Sequence, residues 1–563
     1  MLHDARLTAF TPKLITTVRE GYGFDRFSRD AIAGLTVAVV ALPLAMALGI
    51  ASGASPDKGL ITAVIAGFLI SALGGSRVQV GGPTGAFVVV VFNVIATHGY
   101  DGLVLATLMA GVILVIAGYA RFGQFVKFIP HPVVTGFTAG IAVIIASSQV
   151  KDFLGLAIDK VPTDFVPKWQ AYLSAIGTIQ PWTLTVGLGS LAVILALRRV
   201  APRLPGYLVA VILAALCVAL LHLPVDTIGS RFPHLPNGLP VPALPTLSLA
   251  KVQAVLPSAF TIAFLAGIEA LLSAVVADGM IGSKHRSNQE LVGQGIANIA
   301  SALFGGLPAT GAIARTATNV KSGAVTPVAG MLHAAFLLVF MLAAGGLMAY
   351  IPMAALAAIL FMVAWGMSEY RRFFALLRML NGDRAVLLLT FGLTALVDLT
   401  VAIGVGVTVA SLLFMARMSG TVRVDAQGHL VSEGDDEAEE IGQRDALPPG
   451  VEVIRIDGPF FFGVAGELLD ALRRIGQNPH VIILRMRRVP FLDASGVAGF
   501  VEFVHQARAT GVRVIASGAA DQPRAMLTRA KMGPRDEHLI YAADFAEALR
   551  IADSIVKQAE IPV

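Results

Sequence analysis

The chain has 563 residues, of which 56% are hydrophobic and only 14% are charged, and its mean hydropathy is +0.75. These values exclude a water-soluble globule of this size and predict a polytopic membrane protein. The net charge of +5 includes no Lys/Arg block that would indicate nucleic-acid binding, and the single cysteine, Cys217, excludes an intramolecular disulfide and a cysteine-based metal cluster.

Residues 1–30 are predicted to form a cytoplasmic N-terminal segment. They lack the basic start, short apolar run and small-residue cleavage site of a signal peptide. Five basic residues precede the first apolar run: Arg6, Lys13, Arg19, Arg26 and Arg29. By the positive-inside rule, this charge places the N-terminus in the cytoplasm.

Residues 31–418 are predicted to form the membrane domain. Apolar runs of roughly 17 to 25 residues recur there, the length that crosses about 30 Å of hydrocarbon as a helix. Fourteen spans are predicted, at 31–51, 57–75, 83–98, 102–120, 131–150, 182–198, 204–222, 257–277, 288–304, 311–321, 326–347, 353–368, 383–398 and 400–416. Alternate threading leaves most basic residues on the cytoplasmic side, which supports this count.

Two of the fourteen spans, 83–98 and 311–321, are short and interrupted by Gly and Pro. They are third in each group of seven (31–222 and 257–418), which indicates two inverted repeats of seven spans. Both begin with the same tripeptide, Thr84-Gly85-Ala86 and Thr310-Gly311-Ala312. Two facing half-helix N-termini present unpaired N–H groups and partial positive charge, and this arrangement favours an anion between them.

The residues of these tripeptides are candidate anion ligands. The hydroxyls of Thr84 and Thr310 could bind the anion, and the small residues that follow would let it approach backbone N–H groups. Close helix packing is the alternative explanation for small residues in membrane helices. The duplication of the motif favours the anion site.

Arg315 and Glu269 are predicted intramembrane charges. An arginine about one turn into a membrane segment is expensive without a partner, so Arg315 is predicted to act at the anion site, directly or as electrostatic support. A structural ion pair and a snorkelling side chain are the alternatives. Burial disfavours the charged form of Glu269, which suits reversible protonation coupled to transport. A permanent Glu269–Arg315 bridge is the alternative.

Ser273 follows Glu269 by four residues and lies on the same helix face, where it could hydrogen-bond or help to coordinate a cation. His333 and the other histidines are predicted to be packing or loop residues, because no His/Asp/Glu cluster has the spacing of metal ligands. We therefore predict no metal site and no cofactor.

The composition changes after Met418. Residues 419–450 are predicted to be a linker with an acidic run at 433–440, and residues 451–563 a soluble α/β domain. Its predicted strands are 451–456 (with 460–462 as an optional extension), 480–486, 512–517 and 538–541; its predicted helices are 464–475, 495–509, 522–531 and 544–557.

At residues 263–280, 306–316 and 491–497 the sequence resembles the SulP/SLC26 family of anion transporters, which carry a C-terminal STAS domain. Among bacterial members it is most similar to the aerobic C4-dicarboxylate transporters, and the stretches that carry this likeness are 50–53, 74–77, 149–155, 290–295 and 362–365. The resemblance covers nearly the whole chain.

The resemblance implies a polytopic α-helical fold of the UraA/SLC26-like type, with fourteen segments in 7+7 inverted repeats, core and gate domains, elevator-like alternating access and a homodimer. It places the substrate between the starts of the third and tenth segments, with residues of the first segment nearby. The implied substrate-binding residues are Thr84, Gly85, Ala86, Phe87, Gly311, Ala312, Ile313, Ala314, Arg315, Pro43 and Leu48.

The resemblance also assigns Glu269 to cation coupling, with Ser273 beside it. Sodium-coupled bicarbonate members tend to carry Asp at this position, so Glu269 favours protons and leaves sodium as the alternative. Leu44 and Ala314 replace a Gln and a Ser of some animal members, which argues against a chloride/bicarbonate exchanger.

In the soluble domain, Asp493-Ala-Ser-Gly496 matches the STAS motif whose serine is phosphorylated in anti-sigma-factor antagonists. Ser495 at a helix start is chemically suited to carry phosphate. The alternative is that Asp493 or Ser495 is a plain N-cap.

Together these features predict a proton-coupled secondary active anion transporter of the bacterial inner membrane with both termini in the cytoplasm. A C4-dicarboxylate such as succinate or fumarate is the first substrate expected, and sulfate or bicarbonate is the alternative. The rival hypothesis is an anion channel or a membrane sensor that signals to a cytoplasmic protein through the STAS domain. An enzyme is not expected, because no nucleophile–base set is present.

Overall fold

A computed structural model of the chain describes residues 10–124, 130–159, 161–162, 164–201, 204–233, 238–379, 381–397, 399–420, 422–426, 447–461, 465–474, 479–533 and 539–559. The chain forms two units that divide between Thr408 and Val409. The first unit is almost entirely helical, and the second is a mixed α/β domain.

The first half of the helical unit contains the helices α1 Lys13–Arg19, α2 Phe24–Ala51, α3 Pro56–Leu73, α4 Phe87–Tyr119, α5 His131–Leu154, α6 Phe165–Ser174, α7 Pro181–Val200, α8 Gly206–Leu221 and α9 Ile228–Arg231, with a short strand β1 at Gly81–Gly82. The second half contains α10 Leu249–Ile281, α11 Ser287–Leu303, strand β2 Thr310–Gly311, α12 Ile313–Lys321, α13 Val328–Met348, α14 Met353–Met367, α15 Tyr370–Leu377, α16 Asn381–Leu396 and α17 Leu399–Ser419.

A helix lies at each of the fourteen predicted spans, so the prediction of fourteen helical segments is confirmed. The third and fourth are the two parts of α4, which breaks at Gly99 (φ 70°, ψ 178°), a conformation that only glycine adopts readily. By length and apolar composition, eight helical stretches of the described chain are long enough to cross a membrane, and α8 and residues 328–343 of α13 are shorter apolar helices.

The helices pack into two groups, as the resemblance implies. The core group contains α2, α3, α4 and α10 to α13; the gate group contains α5, α7, α8, α14, α16 and α17. Within the core group, α4 and α11 approach closely where Gly111 faces Gly295: a Cβ atom on Gly111 would lie 2.7 Å from the Gly295 carbonyl oxygen. Glycine permits such backbone contact, which is a principal source of helix association in membranes.

Two fully buried carboxylates hold loops of the core group. Asp30 on α2 accepts hydrogen bonds from the backbone N–H groups of Val325 (2.8 Å) and Thr326 (3.1 Å) and from the Tyr22 hydroxyl (3.0 Å). It fixes the connection between α12 and α13 to the start of α2. Its charge is stabilised by these donors, because a buried carboxylate without them would be costly.

Glu290 on α11 does the same for the segment that follows α3. Its carboxylate accepts from the N–H groups of Gly75 (2.7 Å) and Ser76 (3.1 Å) and from the Gln294 side chain (2.8 Å). The polypeptide that leads to β1 is therefore fixed by a buried charge before it reaches the centre of the core group.

The second unit has a five-stranded sheet with the order β3-β4-β5-β6-β7. Its elements are β3 Arg423–Ala426, β4 Val451–Asp457, α18 Ala465–Arg474, β5 Val481–Arg485, α19 Ala494–Ala509, β6 Arg513–Ser517, α20 Asp521–Arg529, β7 Leu539–Ala542 and α21 Phe545–Ala559. Strands β4 to β7 are parallel, as the predicted alternation of strands and helices requires.

Alternate residues of β5 face the two sides of this sheet. Ile482 and Leu484 pack in the larger core with α18, α19 and α20, whereas Val481 and Ile483 pack with α21. Both faces are covered, and the near-continuous apolar sequence of β5 follows from this burial.

Strand β3 was not predicted, because it lies in the segment assigned to the acidic linker. It pairs antiparallel with β4, with Val424 opposite Ile456. The acidic run 433–440 lies outside the described residues, as does residue 462 of the predicted 460–462 strand extension.

We expect Asp30→Ala to destabilise the protein, because it leaves two buried N–H groups without an acceptor at roughly 1–3 kcal/mol each. The melting temperature of the purified protein in detergent should fall by several degrees, and Asp30→Asn, which keeps one acceptor oxygen, should lose less. Asp25→Ala changes an exposed carboxylate of the same helix and is the matched control. An Asp30→Ala protein as stable as this control would contradict the role given to Asp30.

Candidate functional site

The two short strands β1 and β2 meet at the centre of the core group, and we call this strand pair, residues 81–82 and 310–311, the crossing. β1 and β2 pair antiparallel, with Gly81 opposite Gly311 and Gly82 opposite Thr310. A further bond from the Ala312 N–H to the Val80 carbonyl (2.9 Å) extends the pairing. The two segments run in opposite directions, as inverted repeats require, and each leads directly into a helix, α4 or α12.

Neither of these helices has a side-chain cap. α4 begins at Phe87 after Ala86, and α12 begins at Ile313 after Ala312, and no side chain accepts from the first-turn N–H groups of either helix. The N–H groups of Phe87 and Val88 donate to the backbone carbonyls of Thr84 (3.2 Å) and Gly85 (3.1 Å), but each helix start still carries the positive end of a helix dipole. Two such starts beside one crossing form a site suited to an anion.

The start of α4 faces the gate group. A Cβ atom on Gly85 would lie 2.7 Å from the Met367 sulfur atom and 3.1 Å from Cδ1 of Ile145. Gly85, Ala86 and Phe87 are buried. Ile145 and Met367 were not predicted to lie at the site, because an apolar side chain in an apolar helix gives no signal of the surface that it faces.

The start of α12 is more open. Ile313 is 41% exposed and Ala314 is also exposed, whereas Gly311 and Ala312 are buried. Predicted residues Pro43 and Leu48 are buried on α2, which packs against the gate helices α5, α8 and α14. They lie at the boundary between core and gate.

Thr84 connects the helix start to Glu269. Its hydroxyl donates a hydrogen bond to Oε2 of Glu269 (2.9 Å), and both residues are partly exposed. The structure therefore brings together the predicted coupling residue and one of the predicted anion ligands. The single hydroxyl hydrogen of Thr84 is used by the carboxylate in this arrangement.

Thr310 and Ser273 serve the packing of the crossing. Thr310 is fully buried and donates to the Ala266 carbonyl on α10 (2.8 Å), so its hydroxyl is not directed to the anion site as the sequence suggested. Ser273 is also fully buried and lies 3.2 Å from the Thr316 hydroxyl, which accepts from the Val80 N–H (3.1 Å). These contacts hold α10 against both crossing segments.

Arg315 reaches from α12 to the segment of the other repeat. It is 3% exposed, and its Nη2 atom donates to the Pro83 carbonyl (2.9 Å). The guanidinium lies against Gly82, where a Cβ atom would clash with Nη1 and would lie 3.5 Å from the Ala63 Cα atom on α3. Such burial argues against a snorkelling side chain.

No ion pair within 4.0 Å joins Glu269 to Arg315 in the described chain. The permanent bridge considered from the sequence is therefore not formed. Instead, the carboxylate bonds Thr84 and the guanidinium bonds Pro83, two consecutive residues of one segment. Both side chains are linked to the anion site through this segment, and they form no ion pair with each other.

In the α/β unit, Asp493 is the N-cap of α19, and its carboxylate accepts from the Gly496 N–H (2.6 Å). The capping alternative thus applies to Asp493. Ser495, the second residue of α19, is exposed.

Two family models match the chain: the sulfate permease family over residues 27–390 and the STAS domain over residues 446–543. The chain is 41% identical over 513 residues to the putative sulfate transporter YvdB of Bacillus subtilis, covering 90% of this chain and 94% of that protein. It is 32% identical over 529 residues to the bicarbonate transporter BicA of a Picosynechococcus strain, covering 91% and 92%.

Solved structures show the same fold. The transmembrane domain of a cyanobacterial bicarbonate transporter BicA superposes with a TM-score of 0.61 at 32% identity and covers 69% of this chain and 98% of its own. Murine Slc26a9, an anion transporter, superposes with a TM-score of 0.84 at 17% identity and covers 98% and 95%. The chain is therefore a member of the sulfate permease family of membrane anion transporters, with a C-terminal STAS domain and no enzymatic function.

Proposed function

We propose that the chain is a proton-coupled secondary transporter of a small inorganic oxyanion, sulfate or bicarbonate. The observation that carries this proposal is the crossing of β1 and β2, which places two uncapped helix starts and the guanidinium of Arg315 at one position. Backbone N–H groups, two helix dipoles and a neighbouring cation together stabilise an anion without a specific side-chain cage.

Two observations favour a compact oxyanion over a C4-dicarboxylate. The named relatives are sulfate and bicarbonate transporters, and the side chains of Ile145 and Met367 crowd the start of α4. In the described part of the chain, Arg315 is the one cation that contacts the crossing, and a dicarboxylate has two separated charges to neutralise. A dicarboxylate remains the second substrate class.

Proton coupling is supported by the hydrogen bond between Thr84 and Glu269. The hydroxyl hydrogen of Thr84 can bond either the ionised carboxylate or an anion at the start of α4. When Glu269 takes up a proton, its carboxyl group no longer requires this donor, and the hydroxyl can turn to the anion. Proton binding and anion binding would then favour each other, and such coupling is reciprocal.

The division of the helices into a core group and a gate group supports a particular transport movement. Transport would occur by elevator-type movement of the core group against the gate group in a homodimer, in the bacterial inner membrane with both termini in the cytoplasm. Close glycine packing of α4 on α11 supports a core that moves as one body. Sodium in place of the proton is the alternative coupling ion.

We expect purified protein in liposomes to exchange external labelled sulfate or bicarbonate for the same internal anion and to accumulate it under an inward proton gradient. Uptake should be saturable and should rise by about tenfold with the gradient, a coupling of ordinary size. A sodium gradient and labelled succinate are tested in parallel.

Each alternative gives its own result. Faster exchange of succinate than of either inorganic anion would restore the dicarboxylate as substrate, and a response to sodium alone would replace the proton. Conductive, non-saturating currents would support a channel.

Glu269→Gln should reduce gradient-driven uptake by about tenfold and change anion affinity by less than about threefold, because the amide cannot exchange a proton but still fills the site beside Thr84. Uptake is measured in liposomes, and affinity by calorimetry on the same preparation. Glu269→Asp keeps a titratable carboxyl group and is the matched control. Equal losses of uptake and affinity in Glu269→Gln would assign Glu269 to anion binding.

We also propose that Ser495 is phosphorylated and that the STAS domain binds a cytoplasmic protein. Support comes from the exposure of Ser495 and from its place at the start of α19, where Asp493 already serves as the cap. A phosphate there would benefit from the helix dipole. Mass spectrometry of protein isolated from cells should find phosphate on Ser495 and none after Ser495→Ala; unmodified Ser495 under all growth conditions would oppose this proposal.

A further inference from the structure

Buried polar atoms without a hydrogen bond concentrate around the crossing. Among the described residues, thirteen buried side-chain nitrogen and oxygen atoms make no hydrogen bond to protein, and six of them belong to four residues of the core: Gln79 Oε1, Arg315 Nε and Nη1, Asn319 Oδ1 and both ring nitrogens of His333. An unpaired buried polar group destabilises the folded state, so native proteins satisfy such groups with protein or with water.

The amide side chains of this cluster are anchored at one end only. Gln79 donates through Nε2 to the Ala270 carbonyl (3.1 Å), and Asn319 donates through Nδ2 to the Val78 carbonyl (2.9 Å). Both orient a carbonyl oxygen without a donor. Asn319 lies one helical turn beyond Arg315, so the two side chains share a face of α12.

His333 lies between helix α3 and the crossing. Its ring Cε1 atom is 3.9 Å from the position of a Cβ atom on Gly67, and the same position is 3.0 Å from the Gly81 carbonyl oxygen. The residue is fully buried on α13. One ring nitrogen is directed to the Gly330 carbonyl of the preceding turn without reaching good hydrogen-bond geometry, and the other has no partner among the described residues. The proton coupling proposed for Glu269 does not involve this titratable imidazole.

Among the described residues, Arg315 and Asp30 are the charged groups to consider beside this part of α13. Arg315 on α12 is positively charged and lies against Gly82 of β1, and the His333 ring lies beside the neighbouring residue, Gly81. Asp30 on α2 lies near Gly34, whose Cβ position is 3.0 Å from the His333 backbone nitrogen, but its carboxylate is occupied by Thr326 and Tyr22. The guanidinium is therefore the dominant charge for His333.

The chemistry of these groups links them to transport. Arg315 offers only donors, while a neutral imidazole offers one donor and one acceptor, so water can accept from the first and donate to the second. The charge of Arg315 opposes a proton on His333. An anion bound at the helix starts would neutralise that charge and favour the proton.

We propose that buried water bridges Arg315 and His333 and that His333 binds a proton together with the anion, as a second proton-exchanging residue beside Glu269. This inference rests on the proposed proton coupling. It adds a second route of coupling. On the α3 side of the crossing, the anion neutralises Arg315 and so favours a proton on His333. On the α10 side, Glu269 and the anion are coupled through the Thr84 hydroxyl.

The test measures protons and anions together in liposomes, with a trapped pH-sensitive dye and labelled sulfate, or labelled succinate if exchange selects it. We expect His333→Asn to carry about one proton fewer per anion than the wild type, while anion exchange without a gradient stays within about twofold, because neutral Asn can still hold water. His333→Gln is a second variant of similar volume. His98→Asn changes an exposed histidine on α4 and should keep the wild-type ratio.

The outcomes separate the two proposals. An unchanged proton-to-anion ratio in both His333 variants overturns the role of His333 and leaves proton coupling intact. Parallel losses of uptake and exchange with an unchanged ratio show a packing role and also overturn it. Wild-type transport without any proton movement refutes the coupling itself, and the proposal for His333 with it.

Discussion

The structure depends on the hydrogen bonding of non-helical backbone at the centre of a membrane domain. In lipid, unpaired N–H and C=O groups cost several kcal/mol each, so an interrupted helix is tolerated only where protein satisfies the freed groups. Here β1 and β2 satisfy each other by antiparallel pairing. Because each interruption needs the other, the two repeats cannot be separated, and the helix starts that they create necessarily lie together.

The charges around this crossing follow from the same constraint. Arg315 donates to the Pro83 carbonyl, which the strand pairing leaves free, and Thr84, the next residue, donates to Glu269. Glu290 fixes the chain before β1. The ionisable side chains of Arg315 and Glu290 thus complete the hydrogen bonding of non-helical backbone. A substitution at any of them would affect both the geometry of the helix starts and their electrostatics, which is why exchange, binding and coupling need separate measurement.

Sequence patterns predicted the fold closely and the site partly. The lengths of apolar runs located all fourteen helices, and the duplicated Thr-Gly-Ala motif located the crossing, because both are local signals. The motif predicted the same role for Thr84 and Thr310, whereas in the folded protein only the Thr84 hydroxyl bonds Glu269 and the Thr310 hydroxyl bonds the Ala266 carbonyl. Asp30, Glu290 and His333 are ordinary polar residues in the sequence, and their importance arises from burial that only the assembled helices produce.

Strand β3 has a consequence for the soluble domain. It covers the edge of β4, although it precedes the STAS match, which begins at residue 446. A fragment cut at that boundary would present a bare row of N–H and C=O groups along β4, the kind of edge that recruits a foreign strand and promotes aggregation. The sheet of this domain therefore begins one strand earlier than its sequence signature, at β3, which follows α17 in the chain.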